Sequence, residues 1–220
     1  MADALAGHQG PLLFLGGTFD PLHFGHLRPA EEVRQALGLD RVWLVPAGDP
    51  PHRETPGATG PERLAMVETA VAEYPTLGVL DWEVTSEGPS YTVRTLGWLR
   101  ERLGREPVIT IMGSDAFVGL DRWYRWEELL ERGHVAVVRR PGADLAGMSP
   151  ELEAALAGRW CEEPADLLTA PAGRVAVLEV TRLDVSATAI RGLVAAGRSP
   201  RFLAPESVES HIWAHGLYSD

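Results

Sequence analysis

A chain of 220 residues with 45% hydrophobic content is long enough to bury one sizeable core, and a net charge of −11 argues against gripping nucleic acid or anionic lipid by bulk electrostatics. Neither is expected as a partner. All twenty Lys/Arg residues are arginine, which excludes a Walker A loop, a Schiff-base enzyme and a lysyl-adenylate ligase, since each depends on a lysine. The one cysteine, Cys161, cannot close an intrachain disulfide and lacks the neighbours of a zinc cluster. The first ten residues hold an aspartate and no arginine, and the apolar stretch at 12–15 is too short for a signal-peptide core, so a cytoplasmic location is expected.

Short apolar runs alternate with helix-like segments along the chain. A strand at 11–16 precedes a helix at 27–37, a strand at 41–46 precedes a helix at 62–73, and a strand at 77–80 precedes a helix at 91–103. Then come a strand at 108–112, a helical piece around 126–132, strands at 134–138 and 175–180, and helices at 187–196 and 206–214. Pro61 and Pro205 stand at first-turn positions, Ser90 is expected to cap the helix after it, and Gly104, Gly133 and Gly216 mark helix ends. This rhythm predicts an α/β fold: a Rossmann-like, doubly wound, mostly parallel sheet with helices on both faces. One domain spanning 1–220 is expected, with 141–173 as an excursion between strands and 186–220 as a helical C-terminal part.

The stretch LGGTFDPLHFGHL, residues 15–27, follows the first strand. In open α/β sheets ligands lie beyond the carboxyl ends of the strands. Gly16 and Gly17 let a phosphate approach the backbone, a helix beginning near Gly25 offers amide hydrogens and a positive dipole end, and His23 and His26 share one face of that helix. Two imidazoles and a helix terminus then converge on an anion. A metal pair is the alternative, but no third ligand lies at a characteristic spacing. HIWAH, 211–215, lacks the glutamate of HExxH, so no zinc site is assigned there.

GGTFDPLHFGH matches, at every defined position, the (G)TFDPxHxGH turn of the nucleotidyltransferase superfamily, which this chain therefore resembles. VSATAIR, 185–191, is similar to the superfamily's second signature, (I/V)SxTxIR; Ala187 stands where many relatives carry Ser or Thr, which removes one hydroxyl. Ser186 can cap a helix there, and Arg191 lies within reach of the same end. PPHR at 50–53, PSYT at 89–92, GSDAF at 113–117, RWY at 122–124 and RRPG at 139–142 occur in the order of one branch, the bacterial nicotinate mononucleotide adenylyltransferases. Arg53 replaces the lysine of some members and keeps the charge.

That resemblance implies transfer of AMP from ATP to nicotinate mononucleotide, giving nicotinate adenine dinucleotide and pyrophosphate, with Mg²⁺ brought in by ATP and no protein metal cage. His23, His26 and Arg191 are the implied catalytic residues. Gly16, Gly17, Thr18 and Phe19 join them around ATP, together with Ser186 and Thr188, while Arg139 and Arg140 border the adenine. For the mononucleotide, His52 and Arg53 hold the phosphate, Ser90, Tyr91 and Thr92 offer amides to the carboxylate, and Trp123 and Tyr124 flank the pyridine ring. Asp20, Gly113 and Asp115 complete that side, Asp115 as an acceptor for ribose hydroxyls. The alternatives are an adenylyltransferase for nicotinamide mononucleotide or another phosphorylated acceptor, such as a pantetheine phosphate, and a non-catalytic nucleotide-binding regulator. A class I aminoacyl-tRNA synthetase is disfavoured, because no KMSKS-like lysine loop is present.

Overall fold

Six strands, β1 (Leu12–Gly17), β2 (Val42–Pro46), β3 (Leu77–Val79), β4 (Val108–Gly113), β5 (His134–Arg139) and β6 (Val175–Glu179), form one parallel sheet in the order β3-β2-β1-β4-β5-β6. The structure is a computed structural model and describes residues 4–50, 55–139, 145–181 and 183–219. Every residue of β2 is buried, as a parallel strand covered on both faces requires. Along β1 the side chains alternate. Leu13 enters one hydrophobic cluster with α1 (Phe24–Ala36), α2 (Gly60–Glu73), α8 (Ala187–Ala195) and α9 (Glu206–His215). Leu12 and Phe14 enter the other, with α4 (Thr92–Leu103), α5 (Ser114–Val118), α6 (Leu129–Arg132) and α7 (Pro150–Leu156). Helices thus cover both faces of the sheet. A further helix, α3 (Trp82–Thr85), is one turn long, and among the described residues no helix is long and apolar enough to cross a membrane.

The strand order reverses between β1 and β4, and the register shows what that does. β1 pairs with β2 as far as Gly17–Pro46, and β4 pairs with β5 as far as Gly113–Val138. Between β1 and β4, pairing stops at Phe14–Thr110. The last three residues of each strand therefore part from one another, leaving a crevice at the carboxyl edge where doubly wound sheets take their ligands.

Three departures from the sequence expectations stand out. α1 begins at Phe24 with His23 as its N-cap, earlier than 27. Ser90 caps nothing: Tyr91 is the N-cap of α4, and the Ser90 hydroxyl instead accepts from the amides of Gly48 and Asp49 at 2.9 and 3.3 Å. Within the 141–173 excursion, the described part carries α7, and Leu152, Leu156 and Leu167 are fully buried. His134, also fully buried, ties this segment to β5, with Nε2 2.7 Å from the Ala170 carbonyl and Nδ1 accepting from Arg174 N at 3.0 Å.

Candidate active site

The β1–α1 turn presents the two histidines as a stacked pair, ring centroids 3.7 Å apart and 22° from parallel. Phe19, at φ 51°, takes a left-handed conformation that a side chain adopts only at a cost of about 1–2 kcal/mol. That conformation lays its buried ring edge-on to His26, at 5.2 Å and 83°. With its side chain inside, Phe19 can meet a ligand only through its backbone. Gly16 has open space where a Cβ would stand, whereas a Cβ on Gly25 would lie 2.9 Å from both the His23 ring and the Val185 carbonyl. The glycine of the HxGH pattern is thus what lets α1 start against the segment leading into α8. His23 is 5% exposed and its Nδ1 has no hydrogen-bond partner; burial pushes its pKa down to about 4. At neutral pH this imidazole is uncharged, and it stacks on His26 without like-charge repulsion.

At the start of α8 the Ser186 hydroxyl accepts from Ala189 N at 3.2 Å, the expected cap. Arg191, one turn on, donates to the Asp20 carbonyl at 2.7 Å and lies 3.4 Å from both the Asp20 carboxylate and the Thr188 hydroxyl. An open groove of about 480 Å³ runs past Thr188, Arg191, Gly192, Ala195, Gly57 and Tyr218. Asp20, expected against the mononucleotide, faces inward instead. It is 5% exposed, and its carboxylate accepts from Gly57 N at 2.8 Å, Ala58 N at 3.0 Å and Tyr218 Oη at 2.8 Å. A carboxylate so engaged holds the turn, and a substrate phosphate beside it would be repelled.

Arg63 escaped the sequence reading. It is 1% exposed and donates to three backbone carbonyls: Thr18 at 2.6 Å, Gly48 at 3.1 Å and Ala58 at 3.2 Å. The loops after β1 and β2 are thereby clamped together beneath the site. Its signal was position: Arg63 lies on the buried stripe of α2 with Met66, Val67 and Ala70, where an apolar residue is the usual choice.

PSYT and RWY also meet. The Tyr91 and Tyr124 rings stack at 4.5 Å, 25° from parallel, with Tyr124 49% exposed. Trp123 is half-buried against the second hydrophobic cluster, and Thr92 opens α4. Gly113, exposed and with open space at its Cβ position, ends β4, and the exposed Asp115 follows in α5. Arg139 pairs with Glu179 at 2.9 Å across the β5–β6 register. His52, Arg53 and Arg140 lie outside the described residues. His211 and His215 stack at 4.0 Å on α9, and among the described residues no group of three or more His, Cys, Asp or Glu is placed to hold a metal ion.

Residues 14–193 match the sequence model of the cytidylyltransferase-like family. A protein of Acidithiobacillus ferrooxidans named "probable nicotinate-nucleotide adenylyltransferase" is 47% identical over 207 residues, 94% of this chain and 95% of its own length. One of the same name from Halorhodospira halophila is 48% identical over 205 residues, 93% of each chain. Among solved structures, nicotinic acid mononucleotide adenylyltransferase of Plasmodium falciparum, complexed with NaAD, superposes with a TM-score of 0.71 over 96% of this chain and 98% of its own, at 14% identity. At that identity the likeness concerns the fold.

Proposed function

Because the chain belongs to the cytidylyltransferase-like family, and within it to the nicotinate-nucleotide adenylyltransferases, we propose that ATP and nicotinate mononucleotide meet in the crevice between β1 and β4. The enzyme transfers the AMP moiety of ATP to nicotinate mononucleotide, releasing pyrophosphate and forming nicotinate adenine dinucleotide. The observation that carries the reading is the parting of β1 from β4 beyond Phe14–Thr110, with the stacked histidines in the turn after β1 and the Tyr91–Tyr124 pair at the start of α4.

In this reading the attacking group is a phosphate oxygen of the mononucleotide. A phosphate monoester has its second pKa at about 6, so the nucleophile is ionised at neutral pH without a general base. The protein's task is to align that oxygen with the α-phosphorus and to balance charge building on the α-phosphate and departing pyrophosphate. His26, steered by the Phe19 ring edge and the His23 stack, donates to the α-phosphate. Ser186 holds the start of α8 ready for the outer phosphates, with Thr188 and Arg191 beside them. Asp20 keeps Arg191 in place rather than touching substrate. Mg²⁺ carried in with ATP would supply charge withdrawal at the phosphates; the imidazole, guanidinium and amide donors lining the turn suit phosphate rather than a cation. A cytoplasmic location belongs to the same proposal, resting on the ATP consumed.

The test is pyrophosphate release with Mg·ATP against a panel of acceptors: nicotinate mononucleotide, nicotinamide mononucleotide and a pantetheine phosphate. Turnover confined to the first supports the reading. Preference for another acceptor reassigns the crevice, and binding without turnover identifies a nucleotide-binding regulator.

A further inference from the structure

Glu83 is a buried acid that the mechanism above does not use. It sits on the one-turn helix α3, 9% exposed, and accepts from the hydroxyl of the fully buried Thr95 in α4. The Ser90 hydroxyl lies near enough to pull the Glu83 pKa down as Thr95 does. A serine hydroxyl has two acceptor lone pairs and one proton. Both lone pairs of Ser90 are taken by the amides of Gly48 and Asp49, so its proton is free to turn toward the Glu83 carboxylate. The backbone repeats the link, Ser90 N donating to the Asp49 carbonyl at 2.8 Å.

The contact is close as well as polar. A Cβ on Gly48 would lie 2.1 Å from the Glu83 carbonyl oxygen, so α3 rests directly on the loop after β2. That loop is held from its other side by Arg63, which donates to the Gly48 carbonyl. Glu83 therefore joins three pieces: the loop after β2, the residue before Tyr91, and the first turn of α4 through Thr95. Burial pushes its pKa up, against the pull of the two hydroxyls and of Arg94.

We propose that Glu83 is the positioning residue for nicotinate recognition, holding Ser90 so that the Tyr91 and Thr92 amides keep the spacing a carboxylate requires. The inference rests on the reading that nicotinate binds at the start of α4. Glu83 touches no substrate; it acts through Ser90. An acid at this position accepts from both hydroxyls. An amide has one acceptor oxygen and an NH₂ that donates, so with Gln one of the two hydroxyls, Thr95 or Ser90, meets a donor and the hold on the start of α4 slackens.

Steady-state kinetics of Glu83→Gln test this, with KM measured separately for each substrate and kcat/KM compared for nicotinate and nicotinamide mononucleotides. The expected result is a KM for nicotinate mononucleotide raised about tenfold or more, a narrowed acid-to-amide preference, and a KM for ATP within about twofold of the parent. A purely structural role would shift both KM values or lower the amount of active enzyme alone. Ser90→Ala, which breaks the link while leaving the Glu83–Thr95 bond, is expected to give the same signature and serves if Glu83→Gln does not fold. Unchanged KM and selectivity in the variant that folds overturn the proposal. Tyr124→Ala separates the two levels: if it raises the mononucleotide KM while Glu83→Gln does not, only the role of Glu83 falls. If neither does, the nicotinate subsite itself is misplaced.

Discussion

The Tyr218 hydroxyl donates to the Asp20 carboxylate at 2.8 Å, joining residues 198 apart in sequence. The bond brings the end of the chain against the turn that opens it, and Arg191 lies on the same carboxylate at 3.4 Å. Burial, reinforced by Asp20, pushes the Tyr218 pKa upward, so the phenol stays a donor over the working range. Tyr218→Phe removes one of several donors and is expected to cost about 1 kcal/mol in urea unfolding. Gly57 N bonds one oxygen of the carboxylate and Ala58 N the other, so Asp20→Asn sets an NH₂ against one of these amides and removes the charge facing Arg191, and is expected to cost roughly 3 kcal/mol and most of the turnover. Equal, small losses for both variants would remove Asp20 as the anchor of Arg191.

His26→Ala is expected to lower kcat by about 10²-fold or more while ATP still binds, because its bond strengthens as charge develops on the phosphates. Near-normal kcat would remove His26 from the chemistry. Gly25→Ala probes the same geometry without touching an imidazole: its Cβ meets the His23 ring and the Val185 carbonyl at 2.9 Å. A loss of kcat comparable to that of His26→Ala is expected, since either the stack or the approach of α8 must give way.

The depressed His23 pKa makes a stability prediction of definite sign. With a folded value of about 4 against an ordinary 6.5, the unfolded chain takes up a proton between these pH values while the folded one does not. Stability from this residue is present above pH 6.5, is lost as pH falls towards 4, and totals roughly 3 kcal/mol. Carboxylates lose stability in the same acid range, so the quantity to measure is the difference between the parent and His23→Gln in urea unfolding at pH 7.5 and 4.5. The parent should lose more on acidification. Equal losses would mean that His23 titrates normally in the folded state.

Much of this architecture is legible in the sequence, for physical reasons that also explain what is not. Strands such as Val42–Pro46 are continuous apolar runs because both faces are covered, and the β1–α1 turn needs small and special residues at fixed spacing, so both leave local patterns. The inward bonds of Asp20 leave no mark in the sequence, because an acid in a ligand-binding turn looks the same whether it faces substrate or fold. Its partners Gly57, Ala58, Tyr218 and Arg191 come from distant parts of the chain. Arg63 and Glu83 bond to loops and hydroxyls that only the folded topology brings near. Helix α7 is too short for its period to show, although Leu152 and Leu156 are the i, i+4 pair that buries it.

Trp123→Ala is expected to raise the KM for the mononucleotide and leave that for ATP nearly unchanged. The indole is half-buried beside the exposed Tyr124, whose ring already stacks on Tyr91. An aromatic face there suits a cationic pyridine ring, and its loss should cost roughly 1 to 2 kcal/mol of binding. Since Trp123 also packs on the second cluster, a lower melting temperature is expected alongside. Equal rises in both KM values would make it a packing residue only.

Nicotinate mononucleotide is expected to be preferred to its nicotinamide counterpart by at least ~10²-fold in kcat/KM. At the start of α4 the Tyr91 carbonyl is occupied by Arg94 N and Thr95 N, so what the helix end offers a ligand is amide hydrogen and the positive end of its dipole. A carboxylate has two acceptor oxygens to meet those donors. Replacing one oxygen with NH₂ sets donor against donor and leaves a partly enclosed N–H unpaired, and sites built on such bonds discriminate strongly. The measurement is kcat/KM for the two mononucleotides under identical Mg·ATP conditions. Comparable values would mean that the start of α4 does not read the carboxylate, while leaving adenylyl transfer at the β1–β4 crevice intact.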